Sequence, residues 1–207
     1  MNNTELLTLI TQLRSVADVG LLYAKNEYDI ERYNELQHIS IKMLDNVTGW
    51  GAEDIKLNFP MPSDYPTVKV DVRGILLNAE NKILLAKESA DGKWSLPGGW
   101  ADIGYTAKEV IIKEFEEETG LTVVPERLLA VFDKKMHPHP PQPFYVYKIV
   151  FYCKALSSTL NKGFDVLEVA YFDINTLPDL SEDRILKSQI ELLYQKIVTG
   201  DLTAEVD

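Results

Sequence analysis

The sequence predicts an α/β (α+β) protein: a small N-terminal helical region followed by a layered domain of mixed strands and helices. Three observations carry this expectation. Apolar residues recur at helical spacing before about residue 60 and at strand spacing after it. Three prolines, Pro60, Pro62 and Pro66, fall within seven residues at the change. Beyond them, short alternating runs are interleaved with two longer helical segments, the pattern of strands and helices packed in layers.

From the N-terminus, Leu6, Leu9, Leu13, Ala17 and Gly20 recur at steps of three and four, as do Tyr33, Leu36, Ser40, Met43 and Val47. Each set lines one face of a helix. Residues 25–29 between them are polar and supply capping groups, so a helical hairpin ending near Gly49 is expected. The prolines favour an extended linker, which places the division at 1–64 and 65–207. Val68, Val70 and Val72 then alternate with Lys69, Asp71 and Arg73. Residues 75–77, 78–81 and 82–86 read as strand, turn and strand. Further strands are expected at 128–132, 144–154 and 168–172, and a helix at 181–198.

Composition narrows the class. Of 207 residues, 45% are hydrophobic and 26% charged, the balance of a globular chain. No run of 18 apolar residues occurs, so no membrane partner is expected. The start of the chain lacks the basic and cleavable pattern of a signal peptide. Cys153 is the single cysteine; it excludes an intrachain disulfide, suits a reducing cytoplasm, and in its apolar run is expected to be a buried inert thiol. The net charge of −11 is spread over both regions. That field repels nucleic-acid phosphates, so RNA is a disfavoured partner. A small anionic substrate stays open, because a bound divalent cation reverses the local field.

The segment GGWADIGYTAKEVIIKEFEEETGL, residues 98–121, is the most informative. Pro97, Gly98 and Gly99 form a tight turn. Thr106 with Glu109 makes a capping box that starts a helix at about Ala107, and Gly120 suits its end. Val110, Ile111 and Phe115 supply an apolar side. Glu114, Glu117 and Glu118, at i, i+3 and i+4, share one face and repel one another. A hard divalent cation relieves that repulsion and supplies what phosphoanhydride hydrolysis requires. The plain alternative is a solvated glutamate-rich face.

This segment resembles the Nudix box, G-x5-E-x7-R-E-U-x-E-E-x-G-U. Gly99, Glu114, Phe115, Glu117, Glu118, Gly120 and Leu121 fall in register, Lys113 stands where arginine is expected, and Tyr105 replaces the first glutamate. The resemblance implies a Nudix α/β/α sandwich around a mixed sheet. It further implies a metal set of Glu114, Glu117, Glu118 and the Gly99 carbonyl holding Mg²⁺ or Mn²⁺. Glu114 would also orient or activate water, held by Lys113. The implied reaction is hydrolysis of a nucleoside diphosphate derivative. The N-terminal hairpin resembles a bacterial two-domain subgroup that points to CDP-choline first and ADP-ribose second. A catalytically weakened nucleotide-binding module and an RNA-end-processing enzyme are the alternatives.

Outside the box the expectations are single residues. Arg73 and Lys87 are placed to face substrate phosphates. Trp94 or Trp100 is a stacking candidate. His137 and His139 border the pocket or belong to a surface loop. Asp165 or Glu168 is a late acidic group, and the residues leave open which. The hairpin carries more apolar surface than two helices hide, so a homodimer is expected, with the hairpin at its interface or over the substrate.

Overall fold

The computed structural model describes residues 3–58, 65–142 and 144–207. Pro60 and Pro62 of the expected linker lie outside them. The chain forms two compact units, Met1–Val68 with Pro141–Tyr145, and Lys69–Pro140 with Val146–Asp207.

The first unit is helical: α1 (Asn3–Tyr23), α2 (Glu27–Thr48) and α3 (Ala52–Asn58). Asn26 caps α2 by accepting the Asp29 N–H at 2.9 Å, and Gly49 ends it in the left-handed region at φ 69°. At Gly20 of α1 a Cβ would enter the Tyr33 ring of α2, so glycine lets the two helices pack there. Leu7, Ile10, Ile41, Leu44 and Ile55 form the core of this unit. Sequence periodicity placed Leu9 inward, but Leu9 is 53% exposed and Leu7 and Ile10 take its place, a rotation of the buried stripe. The third helix was not expected; at seven residues it is too short for a period and is anchored by Ile55. By length and composition alone, one helix among the described residues is apolar enough to cross a membrane, a test that the core helix of a globular unit also passes. The segment is Glu5–Tyr23, with mean hydropathy 1.2, and Arg14 and Asp18 interrupt it.

The second unit carries β1 (Lys69–Ile75), β2 (Ile83–Glu88), β3 (Trp94–Ser95), β4 (Gly98–Trp100), α4 (Ala107–Thr119), β5 (Val123–Asp133), β6 (Val146–Ala155), β7 (Val166–Phe172), α5 (Lys187–Thr199) and β8 (Glu205–Val206). One sheet has the order β4-β1-β6-β5-β8 and is mixed, with β1–β6 and β5–β8 parallel and β1–β4 and β5–β6 antiparallel. The other, β3-β2-β7, is antiparallel. Two apolar clusters hold the layers. Val110, Ile111 and Phe115 of α4 pack with Val72, Phe151 and Cys153. Ile190 and Leu193 of α5 pack with Ile75, Phe132 and Val150. Burial pushes the Cys153 thiol up to about 12, so it is inert as expected.

Strand alternation sends Val72 of β1, and Leu76 just beyond its end, to the α4 cluster and leaves Asp71 and Arg73 with Ile75 on the other face. β5 is longer than expected because Pro125 sits at a register irregularity, where a missing N–H breaks no ladder bond. Strands of two or three residues, β3, β4 and β8, are too short to show a period. Residues 181–186 form turns, so α5 begins six residues later than the pattern suggested.

Candidate active site

The site is built where β4 meets α4. The helix starts at a capping box: Thr106 Oγ1 accepts the Glu109 N–H at 3.3 Å, and Glu109 Oε2 accepts the Thr106 N–H at 2.7 Å. Its second half brings two carboxylates, Glu114 and Glu118, to the Gly98–Gly99 turn. Glu118, 4% exposed, accepts the Gly98 N–H at 3.0 Å. The Glu114 carboxylate lies against Gly99, so close that a Cβ there would stand 2.5 Å from its Oε1. Gly98 has φ 141°, and a Cβ on it would collide with the Val72 carbonyl. Glycine at both positions is therefore what lets backbone and carboxylates share this space.

Buried charge surrounds the carboxylates. Arg73 lies on β1, 6% exposed, and its Nε donates to Asp71 at 2.9 Å. Its Nη1 donates to the Leu96 carbonyl at 3.0 Å and reaches Glu88 at 3.5 Å. Asp71 also pairs with buried Lys148, its register neighbour on β6. Arg184 Nε reaches the same Glu88 oxygen, Oε1, at 3.0 Å.

Burial pushes Glu118 up to about 8, and Glu88 and Glu114 nearby add to the shift while Arg73 and the Gly98 N–H oppose it. Glu114 is raised too, by burial and by the neighbouring Glu117 and Asp165, against Arg73 and Lys113. Asp71 moves the other way: Arg73 and Lys148 hold it ionised despite burial.

Glu117 is exposed, 3.7 Å from Lys113. Among the described residues no three acidic, His or Cys groups converge as a finished metal cage. The donor chemistry nevertheless fits a hard divalent cation. It is all oxygen, it lies on one helix face, and burial raises the proton affinity of two of its carboxylates.

A NUDIX domain model matches residues 67–193. The chain belongs to the Nudix family. It is a Nudix pyrophosphatase, a hydrolase of phosphoanhydride bonds. A second model, described as UDP-X-like, N-terminal oligomerisation domain, matches residues 4–59. YjhB of Bacillus subtilis strain 168, named as a candidate ADP-ribose pyrophosphatase, is 39% identical over 191 residues, 92% of this chain and 91% of its own. An ADP-ribose pyrophosphatase of Methanocaldococcus jannaschii is 37% identical over 122 residues, 58% of this chain and 69% of that one. The crystal structure of a UDP-X diphosphatase is similar over 100% of both chains, with TM-score 0.64 and 34% identity.

Lys113, expected to hold Glu114, lowers the proton affinity of Glu114 by its charge, and its ion pairs are with Asp102 at 3.0 Å and Glu117 at 3.7 Å. Arg73 was expected to face phosphates; it is buried and already engaged by Asp71 and Glu88. Lys87 is half-buried, its Nζ 5.9 Å from the centre of the Trp94 ring. Trp94 is a core residue, whereas Trp100 is 48% exposed beside Lys69.

His137 bonds Asp207 at 2.8 Å. His139 is buried against the Glu182 carbonyl at 2.6 Å, and burial lowers it to about 4. Of the two late acidic groups, Asp165 is the one whose charge bears on Glu114. Glu168 lies opposite Lys87 in the β2–β7 ladder.

Asp71, Glu88, Asp102 and Lys148 were missed. In the alternation of β1, Asp71 and Arg73 read as a solvent face; the second layer that buries them leaves no local signal.

Proposed function

We propose that this Nudix enzyme uses Mg²⁺ or Mn²⁺ to hydrolyse the diphosphate of a nucleoside diphosphate derivative, giving a nucleoside monophosphate and a phosphorylated second product. The observation that carries the reading is the packing of Glu114 and Glu118 on the Gly98–Gly99 turn. Glu114, Glu117, Glu118 and the Gly99 carbonyl would hold the cation. When bound, it neutralises phosphate charge and acidifies water. Glu114, with proton affinity raised by burial, suits the orientation or deprotonation of the attacking water, and the charge of Asp165 adds to that raised affinity. Arg73, gripped by Asp71 and Glu88, offsets the charge of Glu118 without itself reaching for substrate.

The attached group is narrowed by relatives named for ADP-ribose and UDP-X. UDP-linked compounds and ADP-ribose are the favoured substrates, and CDP-choline, the sequence expectation, belongs in the same trial. Turnover of UDP-, ADP- and CDP-linked compounds with each metal tests the proposal; a folded protein that cleaves none of them overturns it.

The first unit supports a homodimer. Leu9, Val16 and Tyr23 lie seven residues apart along α1 and are 53%, 61% and 65% exposed. An apolar stripe of this kind marks a surface that meets another, and this unit matches the oligomerisation model. Light scattering of the full chain at micromolar concentration checks it: a monomer refutes the dimer.

A further inference from the structure

We propose that Asp102 is a positioning residue of the metal site, drawing Lys113 away from Glu117 so that the Glu117 carboxylate is open to a divalent cation. Lys113 and Glu117 stand one helical turn apart, a spacing at which lysine and glutamate ordinarily pair. Here they do not pair closely. Lys113 Nζ donates to Asp102 Oδ2 at 3.0 Å and stays 3.7 Å from Glu117 Oε2, beyond hydrogen-bond reach. Asp102 is eleven residues earlier, in the loop between β4 and α4, so the contact depends on how that loop folds back.

The fold of the loop is held by backbone. The Ala101 N–H donates to the Val70 carbonyl at 2.9 Å, and the Tyr105 N–H donates to the Asp102 carbonyl at 3.3 Å. The Thr106–Glu109 capping box then fixes the helix entry. Tyr105, the residue that departs from the box, contributes its ring face 5.6 Å from Lys113 Nζ. That face attracts a cation without offering a formal charge. Lys113 thus has a hydrogen-bonded anionic partner and an aromatic face on the loop side, while its ion pair with Glu117, at 3.7 Å, stays longer than a hydrogen bond.

Without Asp102 the nearest remaining anion is Glu117. Lys113 would close on it and compete with an incoming cation for the same oxygens. The proposal rests on the reading above that Glu117 is a metal ligand, and it adds a role for a residue the box motif does not specify.

The test is Mn²⁺ binding to the full chain, followed by the electron paramagnetic resonance of free Mn²⁺. Glu117→Gln is measured first: unchanged affinity would remove Glu117 as a ligand and with it the reading beneath the proposal. Given that loss, Asp102→Asn is expected to weaken Mn²⁺ binding about two- to fivefold, the scale of an exposed ion pair. The metal concentration for half-maximal rate should rise by the same factor, with kcat at saturating metal within about twofold. Unchanged affinity in Asp102→Asn overturns the proposal alone.

A second comparison separates positioning from simple loss of negative charge. In a Lys113→Met background Asp102→Asn should shift affinity by less than about 1.5-fold, because no lysine is left to redirect. The same two- to fivefold loss in both backgrounds would overturn the proposal. Both side chains are at the surface, and neither change empties a core position.

Discussion

Glu118→Gln isolates the central electrostatic feature of the site. Glutamine keeps the volume of Glu118 and can still accept the Gly98 N–H through its amide oxygen, but it cannot ionise. In the wild-type fold, burial lifts Glu118 to about 8 from 4.5. An unfolded glutamate loses its proton near the lower value. Between about pH 5 and 8 the metal-free folded chain therefore holds one proton more than the unfolded chain at this residue. Stability falls as pH rises through that window, by about 1.4 kcal/mol per pH unit, and levels off above the folded value. The glutamine variant lacks this component. Denaturant melts of both proteins in chelator, at about pH 6 and about pH 8, should show the wild type losing about 2–3 kcal/mol more than the variant across the interval. Turnover at saturating Mg²⁺ should fall at least about 100-fold, the scale of losing a major electrostatic contributor. Equal pH slopes would refute the buried, proton-holding carboxylate. A near-normal rate would remove Glu118 as a ligand.

Glu117→Gln should cost about as much in turnover while leaving the melting temperature nearly unchanged, since Glu117 is exposed; a normal rate with saturating metal would remove it from the ligand set. Metal binding near pH 7 should release a proton from Glu118, so Mn²⁺ affinity should rise about tenfold per pH unit below 8 and flatten above; calorimetry in buffers of different ionisation enthalpy reads this directly. Gly99→Ala should fold, because only the mobile end of Glu114 opposes the new Cβ, but displacement of that carboxylate should lower kcat about 10- to 100-fold; a fully active variant would contradict the close packing. Val16→Glu on the exposed stripe of α1 should reduce the mass seen by light scattering toward one chain, and an unaltered dimer would place the interface elsewhere.

The chemistry-bearing helix was legible because it is local. Its capping box, its terminal glycine and the i, i+3, i+4 glutamates are all set by spacing within one element, and α4 runs from Ala107 to Thr119 as that spacing requires. Asp71, Glu88 and Lys148 were illegible for the converse reason. Each is a charged residue on a strand whose partners lie far away in sequence: Lys148 meets Asp71 across the β1–β6 register, and Glu88 meets Arg73 and Arg184. Lys113 shows the same division on a smaller scale. Helical spacing correctly puts Glu117 within its range, yet its short contact is to a loop carboxylate that no periodicity could pair with it.

The box helix and its surroundings differ in how they handle charge, and the difference has a physical consequence. Around Arg73 every buried charge has a close opposite partner: Asp71 between Arg73 and Lys148, Glu88 between Arg73 and Arg184. Such a set resists rearrangement, because removing one member strands another in low dielectric. Glu114 and Glu118 are not so paired; their compensation is backbone and distant charge, and both hold protons more tightly than an exposed glutamate. The closed network thus acts as a rigid floor and the carboxylates above it as the adaptable part. Positive charge arriving there displaces a proton rather than breaking an ion pair. A cation at this position is therefore expected to bind with release of a proton, so its affinity should rise with pH.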